Sequence, residues 1–103
     1  MPESSNESSE PVLKVETLRV DDEVSVARIS LRGLNRRTVN HRSTTLYHVL
    51  DGAGIMNVNG VVHVLKQGVI VEVPPHTPYF DAGNVDMEAV SIPPFNLEDG
   101  EEA

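Results

Sequence analysis

The sequence of 103 residues contains no cysteine, which excludes a disulfide framework, a thiolate zinc site, an iron–sulfur cluster and a cysteine nucleophile. Aromatic residues are scarce, at 4%, so a core has to be built from aliphatic side chains. No apolar run approaches the ~20 residues of a membrane-spanning helix. The opening Met-Pro-Glu-Ser-Ser lacks the basic and apolar regions of a signal peptide. These absences lead us to expect a soluble, cytoplasmic protein with no membrane partner. Also missing are a glycine-rich phosphate loop ahead of a helix, a Ser-His-Asp signature and a pair of carboxylates at a spacing that demands general acid–base work.

Basic residues are absent from both ends. Glu3, Glu7 and Glu10 fall in residues 1–11, and Glu98, Asp99, Glu101 and Glu102 in residues 97–103. Those segments hold seven of the 16 acids and no base, which leaves nine acids against eight bases in residues 12–96. The net charge of -8 is therefore a property of the two ends. The central part is close to neutral, and nucleic acid is not an expected partner. We divide the chain into a disordered Ser- and Glu-rich segment (1–11), one domain (12–96) and an acidic tail (97–103). One asymmetry is internal: Arg28, Arg32, Arg36, Arg37 and Arg42 stand in a stretch without an acid. Their plainest reading is a solvent-facing strand and loop, and a ring around a cavity mouth is the other.

What is present is alternation. Residues 12–18, 24–31, 44–50, 55–58, 61–65, 69–73 and 87–92 alternate apolar and polar side chains and are rich in β-branched residues, which predicts strands. Between them lie turn-forming residues at 21–22, 33–35, 51–54, 59–60, 66–68, 74–75 and 81–84. Asn59-Gly60 between two alternating runs predicts a tight hairpin, because both residues tolerate positive φ. No stretch has clean helical periodicity. Short strands at roughly ten-residue intervals predict an all-β sandwich or barrel.

The glycine and proline spacing narrows that choice. Gly33, five residues, Val39-Asn40-His41, three residues, Thr45, six residues and Gly52 resemble the first motif of the cupin superfamily. Gly68, five residues, Pro74-Pro75-His76, two residues and Tyr79 resemble its second motif. The resemblance covers residues 12–96 and implies a small jelly-roll (double-stranded β-helix) barrel that forms a homodimer. It also points to four metal-ligand positions, which here read Val39, His41, Thr45 and Tyr79. A first-row metal asks for three or four imidazole or carboxylate ligands, so we expect a barrel with no metal and no other cofactor.

The expected ligand-binding residues are Asn40, His41, Thr45, Tyr47 and Tyr79. By period two, Thr45 and Tyr47 share a face, and Tyr79 should point inward near them. His41 should stand at a strand end by the cavity mouth. A phenol offers a hydrogen bond or, with a lowered pKa, a general acid; its plainer role is core filling. His76 is read as an exposed loop residue, and His48 and His63 as outward-facing. Leu46 and Leu50 are expected on outward faces, where they would support dimerisation. The functional expectation is a metal-free barrel that binds a small polar or anionic molecule, of the sugar or carboxylate class. The alternatives are a metal-independent sugar isomerase, epimerase or lyase that uses Tyr79 and His41, and a non-catalytic assembly or regulatory module.

Overall fold

The computed structural model describes residues 12–94 and 100–102, the last three by their backbone alone. The described residues form β1 (Leu13–Val20), β2 (Ser25–Leu34), β3 (Thr38–Asn40), β4 (Thr44–Val58), β5 (Val61–Lys66), β6 (Ile70–Val73), β7 (Tyr79–Ile92) and β8 (Gly100–Glu102). Among them no helix is long and apolar enough to cross a membrane.

All pairings are antiparallel. β7 is the spine: β2 lies along one side of it, from Ser25↔Ser91 to Leu34↔Ala82. β4 lies along the other, from Thr44↔Ile92 to Val58↔Tyr79. β1 extends the sheet beyond β2, while β6 and β5 flank the first and second halves of β4. The ladder ends at β1 beyond β2, at β8 beyond β3, and at β5 and β6 beyond β4, so the curled sheet stays open there.

Two long strands stand where sequence reasoning expected turns. Residues 51–54 and 81–84 do not reverse the chain; they are the bent middles of β4 and β7. Their glycines serve a close approach of the two backbones. A Cβ on Gly54 would lie 2.3 Å from the Ala82 carbonyl oxygen, and one on Gly83 would lie 2.5 Å from that of Ala53. No side chain fits such a crossing.

A bulge accompanies the bend. Val49 faces Met87 and Asp51 faces Asp86, so Leu50 is the extra residue. The insertion changes which parity of β4 points inward: Thr45, Tyr47 and Val49 are buried before it, Met56 and Val58 after it. Both halves of the strand therefore line one interior. There Ile29, Leu31, Val49, Met56, Leu65, Val71, Val85 and Met87 make an almost wholly aliphatic core.

The hairpin at Asn59 and Gly60 forms as expected, with φ of 51° and 90°. β5 differs from expectation. Leu65 is its buried residue and His63, two positions earlier, is half-buried on the same side, while Val62 and Val64 are exposed. His63 therefore does not point outward, because the face is set by Leu65 and the hairpin register rather than by the valines. Leu46 and Leu50 are half-buried. The exposed apolar residues instead include Val15, Leu18 and Val20 on β1 and Val61, Val62, Val64 and Ile70 on β5 and β6. Within the segment expected to be a solvated acidic tail, residues 100–102 add β8 to β3 through Thr38↔Glu102 and Asn40↔Gly100. Backbone pairing needs no apolar side chain, so composition did not reveal it. Residues 1–11 lie outside the described residues.

Candidate functional site

The inner faces of β4 and β7 bring the two tyrosines of the chain together. Tyr47 lies in the first half of β4, and Tyr79 is paired with Val58 at its far end. Along a straight strand those positions would be about 36 Å apart. The curl of the sheet brings the Tyr47 hydroxyl to 3.0 Å from that of Tyr79, to which it donates. The rings pack tilted, with centroids 5.9 Å apart. Tyr47 is buried and Tyr79 half-buried, so Tyr79 is the one of the pair with a face toward the outside.

Asp81 follows Tyr79 by two residues and shares its face. It is 2% exposed, and Asn35 Nδ2 donates to its Oδ1 at 3.0 Å. The Asn35 backbone N–H also donates to the Asp81 carbonyl, at 2.8 Å, which fixes the segment after β2 against β7. Burial raises the Asp81 pKa above the ordinary carboxylate value, against the opposing pull of the Asn35 hydrogen bond. Burial also raises both phenols; the Tyr79 oxygen and Asp81 add to it for Tyr47, and Asp81 does so for Tyr79. Both tyrosines are therefore neutral at physiological pH and act as hydrogen-bonding hydroxyls, not as lowered-pKa acids. Sequence reasoning passed over Asp81 because it searched for carboxylate pairs. The available signal was an acid two residues after an inward-facing tyrosine.

The remaining expected site residues are Thr45, Asn40 and His41. Thr45 is buried on the inner face, and its hydroxyl shares a 2.9 Å hydrogen bond with Ser91. Asn40 is buried too, but its Oδ1 accepts the backbone N–H groups of Arg42 and Ser43, both at 2.8 Å. That leaves only Nδ2, which is buried with no partner among the described residues. Asn40 thus serves first as the cap of the β3–β4 turn.

His41 and His76 are both exposed and meet each other. Their Nδ1 atoms are 2.9 Å apart, and the His76 N–H donates to the Asn40 carbonyl at 2.7 Å. The two loops entering β4 and β7 are thereby tied together. His76 holds φ at 63°, a left-handed conformation that glycine adopts more readily than other residues. Arg28 is exposed, and Arg32 reaches Asp86 at 3.2 Å, so both lie on the outer face as expected.

The four positions at which the resemblance implies metal ligands do not converge as a donor set. Val39 is a buried apolar residue, Thr45 is bonded to Ser91, Tyr79 is bonded to Tyr47, and His41 is exposed against His76. Among the described residues no group of three or more histidines and carboxylates gathers in a way that fits a metal ion. The residues do not suit the group.

No family model matches the sequence. In Methanocaldococcus jannaschii the uncharacterised protein MJ1618 is 32% identical over 66 residues, which are 60% of this chain. The chain spans 53% of the length of that relative. Among solved structures, a variant of Streptomyces Pac13 with uridine is similar over 92% of this chain and 81% of its own, at 24% identity and a TM-score of 0.83. KdgF from Halomonas sp. is similar over 87% and 86%, at 16% identity and a TM-score of 0.77. The chain has the cupin fold. A third cupin-fold structure, salicylate 1,2-dioxygenase from Pseudoaminobacter salicylatoxidans, is similar over 81% of this chain but 25% of its own, at 22% identity and a TM-score of 0.71. Pac13 is described as a nucleoside dehydratase. It has been solved with uridine in variants that replace a histidine or a tyrosine. At these identities the likeness of the chain to the three proteins is one of fold.

Proposed function

We propose that this cupin barrel binds a small polar molecule at the Tyr47–Tyr79 hydroxyl pair, without a metal ion. The observation that carries the reading is the Tyr47–Tyr79 hydroxyl pair, with buried Asp81 two residues along the same face, set against the aliphatic core. Burying three polar groups lowers stability unless they hydrogen-bond, and filling the space with aliphatic side chains would avoid that cost. Their retention beside the half-exposed Tyr79 is the signature of a polar binding point in an apolar wall. The nucleoside-related description of Pac13, on the same fold, supports a polar organic ligand.

His41, His76, Thr45 and Asn40 belong to the same reading as a second layer around the ligand. It also includes a cytoplasmic homodimer with no nucleic acid partner. For the dimer, the exposed apolar residues of the edge strand β1 support contact with a second copy. Catalysis is a second reading, favoured by Asp81: a buried carboxylate beside two hydroxyls can hold a proton that a dehydration or isomerisation must move.

Binding is tested by isothermal titration of uridine, simple sugars and small hydroxy acids in the presence of EDTA, with wild type and Tyr79→Phe. The expected result is saturable binding by at least one compound that Tyr79→Phe weakens about tenfold, the worth of one hydrogen bond of ~1.4 kcal/mol. Equal affinity of the two proteins for every compound would place the site elsewhere.

A further inference from the structure

Among the described residues the inner site contains a carboxylate, and no lysine or arginine side chain is buried beside it. Each of the eight lysine and arginine side chains is exposed. Arg19 is paired with Asp21 and Arg32 with Asp86 on the outer surface. Asp81 is buried, 2% exposed, and stands two residues after Tyr79 on the same face of β7. It stays where it is because Asn35 holds it from the side chain and from the backbone.

An anion that reached Tyr79 would leave water and meet a buried carboxylate, with no buried lysine or arginine to pair with it. A carboxylate or phosphate needs an arginine fork, a lysine or a row of N–H donors to offset its desolvation. Here it would find two phenols and Asp81. An uncharged molecule with several hydroxyls has the opposite balance. One hydroxyl can donate to the Asp81 carboxylate, and another can exchange hydrogen bonds with the phenols.

We propose that the site selects an uncharged, hydroxyl-rich ligand and rejects the corresponding carboxylate or phosphate, and that Asp81 sets this selection. The inference rests on the binding reading above and narrows its ligand class, removing acids from it. It also makes Asp81 a specificity-determining residue.

The test uses matched pairs that differ in one charged group: D-glucose against D-glucuronate, and uridine against uridine 5′-monophosphate. Affinities are measured at pH 8, above the ordinary imidazole range, with wild type, Asp81→Asn and Asp81→Ser. Asp86→Asn removes the same charge from the outer face and serves as the control. For a pair whose neutral member binds, wild type is expected to prefer it by at least ~10-fold, in line with the cost of placing like charges together. Both Asp81 variants should reduce that ratio toward one, and Asp86→Asn should leave it as in wild type. Equal or tighter binding of the acid by wild type overturns the selection while leaving the binding reading intact. A ratio untouched in a folded Asp81 variant removes Asp81 as its cause. Absence of binding by every compound overturns the binding reading and this inference with it.

Discussion

Removing either tyrosine hydroxyl from the ligand-free protein should reveal the direction of the hydrogen bond between them. Tyr47 donates to Tyr79 across 3.0 Å. Tyr47 is 7% exposed and Tyr79 is half-buried. Tyr79→Phe removes the acceptor and strands a buried O–H, a loss of about 1–3 kcal/mol. Tyr47→Phe removes the donor and leaves a hydroxyl that water can reach, a loss of about 0.5–1.5 kcal/mol. A domain of this size loses ~4–8 °C in Tm for each kcal/mol. At mid-range, Tyr79→Phe should lower Tm by ~8–16 °C and Tyr47→Phe by ~4–8 °C. In the double variant no polar group is stranded, so its loss should fall short of the sum of the single losses by ~1 kcal/mol. Urea unfolding followed by far-ultraviolet circular dichroism measures all three variants without relying on tyrosine emission. Tyr79→Phe equal to or milder than Tyr47→Phe, or strict additivity in the double variant, would refute the reasoning.

The crossing of β4 and β7 makes a second prediction: Gly83→Ala, at φ 135° and 2.5 Å from a carbonyl oxygen, should cost ~3 kcal/mol or more. An unchanged unfolding midpoint would show that the backbones are not so close. A third concerns pH. The folded Asp81 pKa lies above 3.8, so the folded state keeps this proton at pH values where the unfolded chain has released it. The stability this gives is full below 3.8 and is lost as pH rises through the folded value. Wild type should therefore lose stability relative to Asp81→Asn as pH rises from about 4, with a plateau once the folded carboxyl is ionised. A difference that is flat with pH in urea titrations would contradict the burial of the charge. Asp21 has the opposite sign, because the Glu23 and Val24 backbone N–H groups and Arg19 hold its pKa down. Asp21→Ala should lose its effect as the pH is lowered through the carboxylate range, which acid-range thermal scans can follow.

Much of the barrel was legible because its signals are local. The alternation of β2, the Asn59-Gly60 hairpin and the spacing from Gly33 to Tyr79 each depend on a few neighbouring residues. The continuous course of β4 and β7 was not legible. Gly52, Gly54 and Gly83 have the composition of turns, and only the partner backbone across the crossing shows why a side chain is excluded there. The bulge at Leu50 was hidden for the same reason, since it changes the inward parity midway along one strand. His63 was misplaced by the rule that valines point inward, which an open sheet need not obey.

At the site, period two placed Tyr47, Thr45 and Tyr79 on inner faces correctly, and the tyrosine pair follows from that placement once the sheet curls. The uses of Asn40 and His41 could not be read from the sequence. One caps a turn through its side-chain oxygen, and the other meets His76, which comes from a loop 35 residues away in sequence. Asp81 could have been found by extending the same alternation two residues beyond Tyr79.

The composition supplies a direct probe of the central claim. Tyr47 and Tyr79 are the only tyrosines and the chain has no tryptophan, so tyrosine signals report from the candidate site alone. Protein labelled with carbon-13 in its tyrosine rings should be titrated with uridine and neutral sugars in EDTA, and the two sets of ring resonances followed. The account predicts saturable, concerted shifts of both rings with at least one compound and no requirement for metal. Resonances that stay fixed throughout, or that move only after a divalent metal is restored, would contradict it.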